Sequence, residues 1–199
     1  MGTTNYPALI QAVCEYLRGK GFRRRSLGFN RPGPDGECFE GVTIQRTART
    51  YEERRFTIEV GVYVPKIEAL RHPELAAQVK FPQAWDGTFR ERLPLLAGWK
   101  DHWWPSEKTS DFKEISSLFE QYGFPFLDRW NSMEKILAGY ERGLDRDKIG
   151  NSIAACALYL SGKIDEAREE LLRLQADFRA RGVSSDYSER LAERMKITL

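Results

Sequence analysis

An alternation of apolar and mixed side chains over residues 56–64 is the clearest pattern in the chain, and it predicts a β-strand. One face of this strand would be buried and apolar, with Phe56, Ile58, Val60, Val62 and Val64. The opposite face would hold Thr57, Glu59, Gly61 and Tyr63, together with Thr43 and Gln45 from the preceding strand. This second face is either solvated surface or the floor of a binding site, and the sequence does not decide between them.

Further extended segments predict an antiparallel meander of about four strands, in which neighbours along the chain pair in space. Phe22–Phe29 and Cys38–Thr47 flank a turn rich in Pro, Gly and Asp. In Thr88–Leu96, Pro94 cannot donate a ladder hydrogen bond, so we expect this strand at a sheet edge. An amphipathic helix over Asn5–Lys20, with its first residue as N-cap, precedes the sheet.

Beyond about residue 110 the apolar period changes from two to about 3.6, which predicts helices. Asp111 and Glu114 have the spacing of a capping box for a helix that ends at Gly123. Asn131 and Glu134 repeat this spacing for the next helix.

The last third of the chain predicts a helical hairpin and a terminal helix. The first arm covers Ile149–Leu160, the second carries Ala167, Leu171, Leu174 and Phe178, and the terminal helix begins at Asp186. We therefore expect an α+β fold, with an N-terminal helix on the sheet and an all-helical C-terminal region. The predicted domains are residues 1–140 and 141–199.

Composition and charge narrow the class of protein. In 199 residues, 41% are hydrophobic and 30% charged, as in ordinary globular proteins, and the formal net charge is +2. This balance gives no general attraction to nucleic acid or to an anionic membrane. We expect a soluble cytoplasmic protein, because the N-terminal residues do not resemble a secretory signal and no apolar stretch would span a bilayer. Cys14, Cys38 and Cys156 are too scattered for a disulfide framework and fit small buried side chains.

Arg23, Arg24 and Arg25 form the densest run of like charge. On a strand the outer two point to one side, where they could hold a phosphate or a carboxylate. A nucleic-acid surface needs more basic residues and stacking aromatic rings, so an edge strand protected by charge is the simpler interpretation.

Asp101, His102, Trp103 and Trp104 suggest a catalytic group, with His102 as base. The chain lacks a Gly-x-Ser-x-Gly motif, however, and His72 and His102 have no metal-ligand spacing. Packing of a tryptophan over the sheet, with His102 at the rim, is the simpler interpretation. No catalytic residue, metal site or cofactor is therefore expected. The predicted ligand or partner surface comprises Arg23, Arg25, Gln45, Glu59, Tyr63, His102, Trp103 and Trp104.

Several spaced motifs resemble the bacterial family named domain of unknown function 4304, over about residues 8–140. They are Gly21–Arg25, Phe29–Arg31, Val42–Gln45, Phe56–Pro65, Arg90–Arg92, Trp103–Trp104 and Tyr122–Leu127. The resemblance implies no activity and no site residues. The turn at Gly162–Ala167 is similar to a tetratricopeptide unit, without that motif's Trp and Pro.

The leading functional hypothesis is a non-catalytic protein-binding module, of an immunity or regulatory type, with a protein partner. One alternative is a small hydrolase or transferase with a site near Arg25, Glu59 and His102. Another is nucleic-acid binding through Arg23 to Arg25, which we regard as the less favoured partner class.

Overall fold

A computed structural model describes residues 6–47, 54–143 and 146–199, with the backbone alone for residues 146–148. In these ranges one antiparallel sheet holds six strands. They are β1 Arg23–Arg25, β2 Gly28–Pro32, β3 Phe39–Arg46, β4 Arg55–Tyr63, β5 Phe89–Arg92 and β6 Trp104–Pro105. The helices are α1 Ala8–Gly19, α2 Pro65–Arg71, α3 Pro73–Ala76, α4 Leu93–Leu96, α5 Phe112–Leu118, α6 Phe124–Trp130, α7 Met133–Glu141, α8 Arg146–Leu160, α9 Ile164–Ala180 and α10 Asp186–Arg194.

The sheet is a meander in the order β1-β2-β3-β4-β5, and β6 pairs with the start of β4. The predicted α+β class, with an N-terminal helix, an antiparallel sheet and helices after it, is confirmed. The apolar face predicted for β4 is also confirmed, because Phe56, Ile58, Val60 and Val62 are fully buried. Strand β5 lies at an edge, as Pro94 predicted.

The single strand predicted over Phe22–Phe29 is wrong, because the chain forms a tight hairpin there. Arg25 pairs with Gly28, and the two residues between them turn the chain. Ser26 has a φ of 58°, in the left-handed region that such turns require and that serine seldom adopts. Without a glycine or asparagine at this position, the sequence carries no turn signal.

The strand predicted over Thr88–Leu96 is wrong in its second half, where Leu93–Leu96 forms the short helix α4. Pro94 lies in the first turn of this helix, where its fixed φ and missing N–H cost nothing. A proline is tolerated both in an edge strand and in the first turn of a helix. Pro94 therefore excluded a central strand, but it did not distinguish between these two structures.

The helix predicted to end at Gly123 continues instead through a π-helical turn, Phe119–Gly123, into α6. A Cβ at Gly123 would stand 3.0 Å from side-chain atoms of Leu93 and Phe119, so this glycine serves close packing. Its φ is −66°, an ordinary helical value.

Both predicted capping boxes are wrong, because tertiary contacts take their side chains. Glu114 accepts a hydrogen bond from Trp104 Nε1 at 2.8 Å, and Asn131 Nδ2 donates to the buried Glu40 at 2.7 Å. Ser132 caps α7 by accepting from Lys135 N at 3.2 Å. The Asn5 cap predicted for α1 lies outside the described residues.

The chain divides into two compact units. Unit 1 comprises Met1–Tyr63 and Phe81–Asn131, and unit 2 comprises Val64–Lys80 and Ser132–Leu199. Unit 1 contains the sheet, and unit 2 contains α2, α3 and α7–α10. Compactness does not establish independent folding, so the predicted domain boundary after residue 140 stays a prediction.

The core of unit 1 fills the apolar face of the sheet. Leu9, Val13 and Leu17 of α1 are fully buried, and the rings of Phe89 and Trp130 stack with centroids 4.4 Å apart. One ion pair enters this core, where Arg31 Nε donates to Glu40 at 2.7 Å.

In unit 2, α8 and α9 pack against each other through small and aliphatic side chains. Ala154, Ala155, Cys156 and Ala157 are buried on α8, and Ala167 and Leu171 are buried on α9. The tetratricopeptide likeness of this pair stays a prediction.

Candidate functional site

The centre of the polar sheet face is covered by the protein's own chain. Pro82 and the 3-10 turn Ala84–Asp86 lie on it. Asn30 Nδ2 donates to the Pro82 carbonyl at 2.9 Å, and the backbone N–H of Ala84 donates to Thr43 Oγ1 at 3.1 Å. We call residues 82–87 the covering segment, and it removes the middle of this face from solvent.

Three glycines allow this close approach. Gly28, Gly41 and Gly61 lie on β2, β3 and β4, and Gly41 pairs directly with Gly61. A Cβ at Gly41 would stand 2.8 Å from the backbone nitrogen of Ala84, and one at Gly61 would stand 2.8 Å from its oxygen. A side chain at either position would therefore push the covering segment off the sheet.

The residues of the proposed hydrolase or transferase site lie apart. Three strand spacings separate Arg25 on β1 from Glu59 on β4, because Gly28 and Thr43 lie between them in the register. At the usual spacing of neighbouring strands this distance is about 14 Å. The Gln83 side chain occupies the space over Gly28, between them. No hydrogen bond joins His102 to Arg25 or Glu59 within the described ranges.

Two members of the predicted surface are buried. Trp104 is 0% exposed and its ring packs 5.9 Å from that of Phe56, so the predicted tryptophan packing over the sheet is confirmed. Tyr63 is 5% exposed at the end of β4. Neither side chain is part of an exposed surface. The exposed members, Arg23, Arg25, Gln45 and His102, and the half-buried Glu59 and Trp103 stay predictions.

A cluster of polar and aromatic side chains lies around Arg92, the last residue of β5. Arg92 pairs with Asp101, donates to Gln45 Oε1 at 3.4 Å and lies 5.5 Å from the ring centre of Trp103. Trp103 Nε1 donates to the same Asp101 carboxylate at 3.2 Å. The hydrogen bond from Arg92 holds the pKa of Asp101 below its usual value, and the Trp103 indole adds to this effect. Arg92 and Trp103 therefore share the Asp101 carboxylate as hydrogen-bond acceptor.

Large exposed apolar side chains precede and follow the same edge strand in the chain. Trp85 is 53% exposed before β5, and Leu95 and Trp99 are 40% and 38% exposed after it. Arg90 Nη1 donates to the Trp85 carbonyl at 3.0 Å, and the His102 ring meets that of Trp99 edge-on at 5.8 Å. We define the β5 surface as Trp85, Arg90, Arg92, Leu95, Trp99 and Trp103.

Sequence reasoning found part of this surface. The tryptophan-rich segment drew attention to Trp103, but Trp85, Arg92 and Trp99 were not predicted as site residues. The available signal was the density of tryptophan and arginine on either side of one predicted edge strand. Which of two adjacent tryptophans turns outward depends on β6, a strand of two residues that has no sequence pattern.

Among the described residues, no three His, Cys, Asp or Glu side chains come together as a metal site would require. No helix in the same ranges combines the length and apolar character needed to cross a bilayer. The side chains of Cys14, Cys38 and Cys156 are buried, as predicted.

Comparison with known proteins identifies one family. The model of a family described as "domain of unknown function (DUF4304)" matches residues 13–129, which is more than half of the chain. The curated proteins and the solved structures contain no significant match to this chain.

Proposed function

Because the chain belongs to the DUF4304 family, whose description assigns no activity, we propose from the site itself that this protein is a non-catalytic protein-binding module. It binds its partner through the β5 surface. We also propose a bacterial, cytoplasmic setting, and an immunity or regulatory role fits such a module.

The supporting observation is the composition and exposure of the β5 surface. Tryptophan and arginine are the residues that most often dominate the binding energy of protein interfaces. Here the four-residue strand β5 contains two arginines, and three tryptophans precede or follow it in the chain. This strand spans about 13 Å, and a typical interface of about 800 Å² per partner would include both of its ends.

The Arg92 cluster adds preorganisation to this surface. A guanidinium fixed by Asp101 and Gln45 and lying over Trp103 loses little conformational freedom when a partner binds. The exposed Trp85 and Trp99 have few freely rotating bonds and offer large apolar area.

Affinity capture from cells that express the protein, followed by light scattering on the eluted complex, tests this proposal. We expect one protein partner at a fixed stoichiometry. The double variant Trp85→Ala, Trp99→Ala should lose it. Both side chains are more than a third exposed, so the fold should be retained.

The matched control removes exposed apolar side chains elsewhere. Leu75 and Leu172 in unit 2 are 64% and 41% exposed, and Leu75→Ala with Leu172→Ala should leave capture unchanged. Equal recovery from both double variants, or the lack of a stoichiometric partner, contradicts the proposal.

A further inference from the structure

A second candidate surface lies at β1, the other end of the sheet from β5. Arg23 and Arg25 are exposed on this edge strand and project to the same side. Two residues along a strand place their Cα atoms about 7 Å apart. The charge run noted in the sequence therefore presents two guanidinium groups on one side of this edge.

The fold brings further arginines to this edge. Arg24 turns to the other side of β1, where its guanidinium lies 4.9 Å from the ring centre of Tyr6. Arg46, at the end of β3, lies 5.6 Å from the same ring centre. These two residues lie on strands that have only β2 between them, and they share one aromatic contact.

Arg18 adds a fifth charge from the last turn of α1. Burial raises the pKa of the Cys14 thiol, while the charges of Arg24 and Arg18 oppose that rise. Glu15 is the carboxylate of the same neighbourhood. We define the arginine rim as Arg18, Arg23, Arg24, Arg25 and Arg46.

The arginine rim has no ion pair with any residue that the structure describes. Several other cations of unit 1 do, among them Lys20 with Glu120 and Arg92 with Asp101. Arg23 and Arg25 project like charges to the same side of β1, and an anionic ligand would relieve their repulsion. The whole chain carries only +2, so this excess of positive charge is local.

The geometry distinguishes two classes of anionic macromolecule. Proteins that bind single-stranded nucleic acid stack bases on free aromatic rings, whereas two of the protein's own arginines already lie over Tyr6. Carboxylates at alternate positions of an extended peptide have the same spacing of about 7 Å as Arg23 and Arg25. Within the described ranges β2 is the only strand that pairs with β1.

We propose that the arginine rim binds an extended acidic segment of a partner protein, with alternate carboxylates pairing with Arg23 and Arg25. This site is independent of the β5 surface, because the two lie at opposite ends of the sheet.

The test titrates the full-length isotope-labelled protein with an acetylated peptide of alternating Glu and Thr, followed by amide NMR shifts. A peptide with Gln in place of Glu and an oligouridine of equal length serve as comparison ligands. We expect the acidic peptide to shift Tyr6, Arg46 and residues 23–25, and to bind more weakly as salt rises.

The double variant Arg23→Ala, Arg25→Ala should weaken binding about tenfold, the loss expected for two exposed charge pairs. Arg168 and Arg179 on α9 are also exposed and form no ion pair with a described residue, so Arg168→Ala with Arg179→Ala is the matched control. It should bind as wild type does.

Three results overturn the proposal: equal affinity in the two double variants, equal binding of the Gln peptide, or tighter binding of oligouridine with the same arginine dependence. The last result would assign the rim to nucleic acid. These three results are distinguishable from failure of the proposal for the β5 surface, because the variants that test that surface leave the arginine rim unchanged.

Discussion

Substitution of Gly61 by alanine tests whether the covering segment is clamped onto the sheet. The new Cβ would stand 2.8 Å from the Ala84 oxygen and 2.9 Å from the Phe89 oxygen, both in the backbone. Ordinary carbon contacts begin near 3.4 Å. The backbone cannot rotate away as a side chain could, so the covering segment has to shift.

The expected magnitude follows from three contributions. Overpacking costs about 1–3 kcal/mol, and a displaced segment would lose a hydrogen bond such as Ala84 N–H to Thr43, at about 1 kcal/mol. Replacing glycine restricts the unfolded chain and returns about 0.5–1 kcal/mol. We therefore expect Gly61→Ala to lower the free energy of unfolding by about 2 kcal/mol.

Urea unfolding followed by tryptophan fluorescence measures the free energy of unfolding of unit 1, which contains Gly61. All five tryptophans lie in Phe81–Asn131 of unit 1, so the signal reports on the sheet and the segments packed on it.

Two other glycines provide graded controls. The three atoms nearest to a Cβ at Gly28 all belong to the Gln83 side chain, which can swing aside, so Gly28→Ala should cost less than Gly61→Ala. A Cβ at Gly19 meets nothing within 4 Å, and Gly19→Ala in α1 should stabilise by up to about 1 kcal/mol. A Gly61→Ala protein as stable as the wild type would refute the covered face.

Three further predictions concern buried and titrating groups. Glu40→Ala should lower the free energy of unfolding of unit 1 by about 2–3 kcal/mol in the same assay, because it removes the buried carboxylate that accepts hydrogen bonds from Arg31 and Asn131. The Cys14 and Cys156 thiols should resist a disulfide reagent at pH 8 until the protein is unfolded, since burial raises both pKa values, that of Cys156 to about 12. Burial, with the Arg71 charge, lowers the pKa of His72 below its usual 6.5, so it favours the neutral ring in the folded state. The contribution of the neutral His72 ring to stability is complete above about pH 6.5 and is lost as pH falls through the folded pKa. Thermal unfolding across pH 7.5 to 5, followed by circular dichroism, should show this decline.

Each of these predictions has a control. Glu107→Ala, at an exposed position after β6, should change stability by less than about 0.5 kcal/mol, and an equal loss from Glu40→Ala and Glu107→Ala would contradict the buried network. Rapid labelling of the native thiols would contradict their burial. His72→Gln should flatten the acid decline while His102→Gln keeps it, and an identical decline in both would show that His72 is not responsible.

The strands with one apolar face could be predicted from the sequence, because burial of that face imposes a period of two. Val60 and Val62 are the clearest cases, and each is fully buried as predicted. The hairpin at Ser26 could not be predicted, because its turn places a left-handed backbone on a residue that does not favour one.

The covering of the polar face could not be predicted without the register of the strands. Gly41 and Gly61 are far apart in sequence and become neighbours only when β3 and β4 pair. The covering segment has no periodic pattern of its own, and its contacts with the sheet are mainly backbone atoms. The centre of the polar face is therefore covered by residues whose sequence does not predict that they lie on the sheet.

The candidate surface was predicted in part for a related reason. Aromatic and charged residues near β5 can be recognised in the sequence, but their exposure depends on how the loop after Leu96 returns to pair Trp104 with Phe56. The Arg92–Asp101 pair joins residues nine positions apart in an irregular segment, which no spacing rule predicts.

The affinity of the captured partner for the Trp99→Ala protein is the most direct test of the central claim, that this module binds through the β5 surface. Measured by isothermal titration, the dissociation constant should rise about 30-fold or more, as loss of an interface hot spot of about 2 kcal/mol requires. The Leu75→Ala protein should bind as the wild type does. An unchanged dissociation constant for Trp99→Ala, Trp85→Ala and Trp103→Ala alike would contradict the claim.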